Sequence, residues 1–177
     1  MGASEQWYIY TTVIDGTLDF GAFTSSDFSA SSRQLPTLST INYSGTAGDH
    51  IMYAWHNVPG LQKFGTYMGN GSADGTYVEL GFKPSVVIVK ISESGASGRW
   101  FMYDSARGET NPIDKTLNPD DSRAEESTYD IDFLSNGFKH RYADSAGYTN
   151  YDDHKYIYAA WAEAPTVNLY GGQSNAR

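Results

Sequence analysis

Strand-like runs recur about every ten residues along this chain, separated by clusters of Gly, Ser, Asn and Asp. No stretch shows the periodicity of an amphipathic helix. Aromatic residues, which favour strands, make up 15% of the 177 residues. The pattern predicts an all-β fold, an antiparallel β-sandwich, with strands at Gln6–Ile14, Thr17–Phe23, Thr40–Tyr43, His50–His56, Phe64–Met68, Thr76–Phe82, Ser85–Ser92, Gly98–Asp104, Tyr129–Phe133, Gly137–Tyr142 and Lys155–Ala162.

The sequence also contains an internal repeat. The segment QWYIY at 6–10 aligns with RWFMY at 99–103, and IMYAWHNVP at 51–59 aligns with IYAAWAEAP at 157–165. The repeat predicts two related β units packed together, an incomplete one at residues 1–58 and a complete one at residues 59–177. Each unit places two tryptophans in apolar strands, so we expect all four in the cores: Trp7, Trp55, Trp100 and Trp161.

The incomplete first unit has a consequence for assembly. It lacks the pair of strands that precedes the tryptophan of the second unit, so an unpaired strand edge is expected beside Gln6–Ile14. Either a neighbouring subunit supplies those strands, or the chain is the C-terminal piece of a longer protein that contains them. Such an edge recruits another chain unless it is covered. We therefore expect self-association through the N-terminal half.

Charge and composition exclude several classes of partner. The formal net charge is -9 and the pI is about 4.7, so the chain has no basic surface with which to bind nucleic acid or an anionic membrane. Cysteine is absent, which excludes disulfides, zinc-thiolate sites and thiol catalysis. No apolar run approaches the length of a membrane span, so no membrane insertion is expected.

The glycine-rich segment GNGSADG at 69–75 invites a ligand-binding interpretation. It is not a phosphate loop, because no Lys-Ser or Lys-Thr pair follows and a strand rather than a helix comes next. It is a poor calcium loop, because Gly81 stands where the bidentate Glu of such a loop is needed. We interpret it as a polar turn in which glycines supply positive φ and Asp74-Gly75 leads into a strand.

Five separated motifs carry a resemblance to a known family: YMGNGSADGTYVELGFKPSVVIVK, GRWFMYDSARGETNP, IDFLSNGFKHR, YIYAAWAEAP and the terminal SNAR. Together they resemble a repeated C-terminal module, of unassigned function, in large tail and tail-fibre proteins of marine bacteriophages. The motifs span about residues 59–177, and residues 7–58 resemble the end of the preceding copy. Met68, Glu79, Leu80 and the KISESGASG turn depart from the family pattern.

The resemblance implies a component of the virion at a host-facing position of the tail, outside the cell. It implies partners of two kinds, a host cell-surface glycan or protein and the neighbouring virion proteins. Phage fibres are commonly homotrimers, so it also implies a homo-oligomer, with a trimer as one option. It brings no catalytic residue and no cofactor.

The residues that could support catalysis or bind a metal ion follow no recognised motif spacing. Glu79 and Glu163 lie in separate strands, and no local motif pairs two carboxylates for glycoside hydrolysis. His50 and His56 would lie roughly 20 Å apart on a strand, too far for one metal ion. The acidic tract at 118–132 follows no calcium-loop spacing and is interpreted as a solvated loop. We predict a protein that is not an enzyme and that holds no metal or cofactor.

Binding is the remaining chemistry, and the loop at 141–156 combines tyrosines with acidic and amide side chains. Tyrosine faces and neighbouring polar groups recognise sugars and protein epitopes, although a tyrosine-rich loop also serves packing. The candidate binding residues are Tyr142, Asp144, Tyr148, Asn150, Tyr151 and Asp152. The leading hypothesis is a host-recognition module of a phage tail. The alternatives are a polysaccharide depolymerase and a purely architectural spacer of the virion.

Overall fold

A computed structural model describes residues 53–92 and 98–163 in full, and five short strands outside them by their backbone. The described residues form strands and turns and contain no helix. The strands are β1 (Tyr8–Thr11), β2 (Asp19–Ala22), β3 (Ser29–Ala30), β4 (Gln62–Met68), β5 (Tyr77–Glu79), β6 (Pro84–Ile91), β7 (Trp100–Asp104), β8 (Ile131–Leu134), β9 (Gly137–His140), β10 (Lys155–Ala162), β11 (Thr166–Val167) and β12 (Gln173–Ser174).

The main body of the fold is an antiparallel β-sandwich, as the sequence predicts. One sheet has four strands in the order β4-β10-β6-β7, and the other has three in the order β5-β9-β8. All pairings are antiparallel. The last long strand, β10, therefore lies at the centre of the larger sheet, between β4 and β6. The short strands β1, β2 and β3 form another small sheet, and β11 pairs with β12.

Alternating side chains from the two sheets build one hydrophobic core. On β6 the residues Val87, Val89 and Ile91 are fully buried, as a strand with every second side chain turned inward requires. On the facing sheet Ile131 and Phe138 are equally buried. Each such aliphatic or aromatic side chain contributes about 1.5–3 kcal/mol through its removal from water. The alternate residues Val87, Val89 and Ile91 thus mark the inner face of the larger sheet.

Two of the four sheet edges are covered by further backbone pairing. Outside β7, Met102 pairs with Leu117, and outside β8, Ile113 pairs with Ile131. The other two edge strands, β4 and β5, lie next to each other along the chain. Lys63 of β4 donates from Nζ to the carbonyl oxygen of Glu79 of β5 at 2.7 Å, which ties the two sheets together on that side. Among the described residues, the side of the sandwich bounded by β4 and β5 therefore has less backbone pairing than the side bounded by β7 and β8.

The glycine-rich segment at 69–75 is the turn between β4 and β5. Gly71 has a positive φ of 64°, as expected for a glycine turn. The side chain of Asn70 accepts a hydrogen bond from the N–H of Ser72, and Ser72 Oγ accepts one from the N–H of Asp74, each at 3.1 Å. Polar side chains of the turn thus form hydrogen bonds with the backbone of the same turn.

Most of the predicted strands are present, with one correction. The predicted strand His50–His56 is wrong over its described part, because residues 53–57 are not in a strand. The predicted strand Thr40–Tyr43 lies outside the described residues, as does most of the expected edge beside Gln6–Ile14. The division into units at 1–58 and 59–177 stays a prediction.

Candidate functional site

The six candidate binding residues lie together in the loop between β9 and β10, as the sequence requires. The carboxylate of Asp144 is 3% exposed and accepts four backbone hydrogen bonds. Its Oδ1 binds the N–H groups of Ala146 and Gly147 at 2.9 and 3.0 Å. Its Oδ2 binds those of Thr149 and Asn150 at 2.7 and 2.9 Å. Asp144 therefore organises the loop from inside it.

Asn150 joins this loop to the glycine turn. Its amide nitrogen Nδ2 donates to Asn70 Oδ1 at 2.9 Å and to the carbonyl oxygen of Ser72 at 3.0 Å. Its Oδ1 accepts from the N–H of Asn70 at 3.3 Å. Asn150 is fully buried, so its polar atoms serve contacts within the protein. The two loops consequently form one end of the sandwich.

The tyrosines of the loop are half-buried and pack against the core. Tyr142 and Tyr148 both contact the ring of Tyr129, with centroids 5.2 and 4.8 Å apart. Tyr151 contacts His154 at 4.6 Å. Asp152, by contrast, is exposed. Of the six candidates, the structure gives Asp144 and Asn150 internal partners and leaves Asp152 and the tyrosine edges at the surface.

A groove of about 700 Å³ lies at the opposite end of the sandwich, where β10 ends and β6 begins. Its wall comes from four separate segments of the chain. The lining residues are Lys83, Ser105, Ala106, Gly108, Glu109, Thr110, Asn111, Ile113, Phe133, Ser135 and Glu163. Hydroxyl, amide and charged groups dominate this lining, so the groove is suited to a polar ligand with several hydrogen-bonding groups.

Internal contacts hold the groove in shape. Lys83 Nζ and Glu163 Oε2 form an ion pair at 3.0 Å. Asn111 donates from Nδ2 to the carbonyl oxygen of Phe133 at 2.8 Å and accepts from the Phe133 N–H at 2.9 Å. This pair of bonds fixes the segment at 109–113 against β8. Neither Asn111 nor the groove was singled out by the sequence pattern.

Exposed aromatic residues form a cluster near the same end. Tyr53 and Trp55 are 62% and 58% exposed and stack with centroids 6.0 Å apart. Trp55 meets Trp161 edge-on at 6.4 Å, and Trp161 meets Phe64 edge-on at 5.6 Å. We call Tyr53, Trp55, Phe64 and Trp161 the aromatic cluster. Trp161 of the cluster is near the end of β10 and Glu163 of the groove directly follows that strand, so the two surfaces lie at the same end of the sandwich.

The cluster corrects one expectation from the repeat. The prediction that Trp55 is a core residue is wrong, because more than half of its surface is exposed. Trp161 is half-buried, while Trp100, at 5% exposed, is buried. Trp7 lies outside the described residues. A tryptophan in an apolar stretch suits a core strand and an exposed cluster equally well, so the local sequence did not separate these outcomes.

Titratable groups that could serve a metal ion or acid–base chemistry are dispersed. Within the described residues, no three His, Cys, Asp or Glu side chains lie close enough together to hold a metal ion. His140 is fully buried, and burial lowers its pKa to about 3 against a smaller opposing effect of the Asp144 carboxylate. The described part of the chain contains no helix with the length and apolar character of a membrane span.

Comparison with known proteins identifies a family. A family model described as "Domain of unknown function (DUF7483)" matches residues 4–165. No curated protein and no solved structure matches the chain.

Proposed function

The chain belongs to the DUF7483 family of domains of unknown function, and on that premise we propose its function from the surface at the end of β10. We propose that it is a non-catalytic host-recognition module of a phage tail or tail-fibre protein. Its ligand is a cell-surface glycan, bound by the aromatic cluster and the adjoining groove. Its location is the virion, outside the cell.

The exposed stack of Tyr53 on Trp55 is the observation that carries the proposal. Large aromatic rings are usually at least half-buried, and here two neighbouring rings are 62% and 58% exposed. A sugar ring presents an apolar face of C–H groups, which packs against an aromatic ring, while its hydroxyls point sideways. The cluster supplies such rings as a continuous surface.

The groove supplies the polar part of the same interaction. Ser105, Thr110 and Glu109 line it with groups that donate or accept hydrogen bonds to hydroxyls. Ligand sites commonly combine an apolar contact with a few polar groups that fix orientation. A short oligosaccharide that stacks on the cluster would reach the groove along the end of β10.

The tail location is supported by the resemblance of the five ordered motifs to modules of marine phage tail proteins. Recognition rather than hydrolysis is favoured by the carboxylates. Glu163 is held in an ion pair with Lys83 at 3.0 Å, so this carboxylate has a partner within the protein, and no local sequence motif pairs it with a second carboxylate for glycoside hydrolysis. A depolymerase is the alternative that the experiment must separate.

The test measures binding of the purified, fluorescently labelled protein to envelope polysaccharides and to candidate host cells. We expect Trp55→Ala to weaken binding at least about tenfold, equal to about 1.4 kcal/mol. Tyr77→Ala is the matched control, because Tyr77 is 43% exposed on the other sheet and should leave binding unchanged.

Enzymatic treatment of the host cells and assay of the polysaccharide for cleavage distinguish a glycan receptor, a protein receptor and a depolymerase. Binding that disappears after glycosidase treatment of the cells supports a glycan ligand, whereas loss after protease treatment identifies a protein receptor. New reducing ends released from the polysaccharide would establish a depolymerase. If the protein binds no host cell and no polysaccharide, an architectural spacer of the virion is the hypothesis that remains.

A further inference from the structure

The open edge of β4 is a second interaction surface, which shares Phe64 with the aromatic cluster. β4 pairs with β10 along one side, with the register Tyr67 opposite Tyr156 and Thr66 opposite Ile157, and among the described strands none pairs with its other side. In an antiparallel pair, residues alternate between those that bond the partner strand and those whose N–H and C=O point away from it. The backbone groups of every second residue of β4 therefore point away from β10.

Hydrogen bonds at both ends of β4 fix this alternation. The N–H of Gly69 bonds the carbonyl oxygen of His154 at 2.9 Å, and the N–H of Ala162 bonds that of Leu61 at 2.7 Å. Counting inward by two, the residues at 63, 65 and 67 bond β10. Phe64, Thr66 and Met68 consequently direct their backbone N–H and C=O groups away from β10, along the edge of the sheet.

Two of these six outward groups are occupied by side chains. The N–H of Phe64 donates to Asn57 Oδ1 at 2.7 Å. The carbonyl oxygen of Met68 accepts from Thr76 Oγ1 at 2.6 Å. Within the part of the chain that the structure describes, no hydrogen bond uses the other four: the Phe64 C=O, the Thr66 N–H, the Thr66 C=O and the Met68 N–H.

These four groups are complementary to a second copy of themselves. We propose that two copies of this chain pair β4 with β4 in antiparallel fashion, about a twofold axis at Thr66. The two Thr66 residues exchange both of their backbone bonds across the axis. The N–H of Met68 in each copy bonds the carbonyl oxygen of Phe64 in the other, which makes four bonds in total.

The side chains of this edge suit the same pairing. The segment at 64–68 reads Phe-Gly-Thr-Tyr-Met, with no charge to repel its own copy and no proline to interrupt the ladder. Phe64 would lie opposite Met68 of the other copy, and Met68 is 44% exposed in the single chain. Sulfur against an aromatic ring is a favourable contact. Lys63 turns to the opposite face, where its amine bonds Glu79.

Asn57 and Thr76 modulate the association. The Asn57 side chain accepts from the Phe64 N–H, and the Thr76 side chain donates to the Met68 carbonyl oxygen. In the dimer the Phe64 N–H of one copy faces the Met68 carbonyl oxygen of the other, so both side chains must move away before these two groups can bond each other. Asn57 is exposed and can exchange its bond for one with water. Removal of the Asn57 side chain should therefore strengthen the pairing.

The test is sedimentation equilibrium of the full chain up to high micromolar concentration. We expect a concentration-dependent dimer with twice the 19.5 kDa chain mass, and tighter dimerisation in Asn57→Ala. Thr66→Lys places like charges opposite each other on the axis and should weaken dimerisation at least about tenfold. Thr66→Pro removes an N–H that no hydrogen bond uses within residues 53–92 and 98–163, and it should also weaken dimerisation at least about tenfold, while Thr66→Val should retain the dimer.

Amide hydrogen exchange locates the contact. Dimerisation should slow exchange at Thr66 and Met68 and leave Gly65 and Tyr67, which already bond β10, unchanged. Wild type and Asn57→Ala that both stay monomeric would overturn the proposal. So would a trimer, since a twofold interface closes at two copies, or a dimer that survives both Thr66→Lys and Thr66→Pro.

Discussion

Trp161 meets the ring of Phe64 edge-on, with centroids 5.6 Å apart, on the outer face of the four-stranded sheet. Because Trp161 is half-buried there, Trp161→Ala should destabilise the fold by about 1–3 kcal/mol, less than the loss of a fully buried tryptophan. Urea unfolding followed by circular dichroism measures the change. Trp55→Ala, at a more exposed ring, should stay within about 0.5 kcal/mol of wild type. Equal losses in the two variants would contradict this assignment.

Asp144 should matter for stability far more than its loop position suggests. Asp144→Ala removes the acceptor of four backbone N–H groups, so we expect a loss of about 3 kcal/mol or more. Asp144→Asn keeps one acceptor oxygen and should lose less. The exposed neighbour Asp152 provides the control, because Asp152→Ala should change stability by under about 0.5 kcal/mol. A free energy of unfolding unchanged in Asp144→Ala would show that the loop closes without this carboxylate.

His140 should make the fold sensitive to acid. Burial lowers its pKa to about 3 in the folded state, below the ordinary value of 6.5. Between these two values the unfolded chain binds the extra proton, so stability falls as pH falls, by up to about 1.4 kcal/mol for each pH unit. His140→Phe should flatten this dependence between about pH 6 and pH 4. Identical pH profiles for the variant and the wild type would refute the assignment.

Gly137 has no room for a side chain at the start of β9. A Cβ there would lie 2.1 Å from the carbonyl oxygen of Val78, an atom of the neighbouring strand backbone. Gly137→Ala should therefore destabilise by about 1–3 kcal/mol, because β5 and β9 must move apart. Asn136→Ala in the same turn should be nearly neutral. A melting temperature that is unchanged in Gly137→Ala would mean that the strands separate at little cost.

Alternation and β-branched runs were sufficient to predict the strands of the sandwich. The prediction Ser85–Ser92 differs by one residue at each end from β6, and Lys155–Ala162 coincides with β10. Both segments have one face in the core, and burial imposes the pattern that the sequence shows. The segment at 53–56 contains equally strand-favouring aromatics, but no core selects their orientation.

The site was harder to predict, because its residues come from distant parts of the chain. Asp144 and Asn150 have the residue types of a binding loop, yet their partners are backbone groups and Asn70, which lies 80 positions away. The groove likewise combines Lys83, Asn111 and Glu163. Local composition identifies polar side chains, and only the three-dimensional contacts show whether those side chains face a ligand or the protein itself.

The position of β10 governs the order in which this protein can fold during synthesis. Its two neighbours, β4 and β6, are not hydrogen-bonded to each other and are complete once residue 91 has been made. The strand that joins them ends at residue 162. A nascent chain therefore carries two long strands without their shared partner while the ribosome adds about seventy more residues. During that interval the edges of β4 and β6 that β10 later occupies have no native partner, and such unpaired edges are open to pairing with another chain.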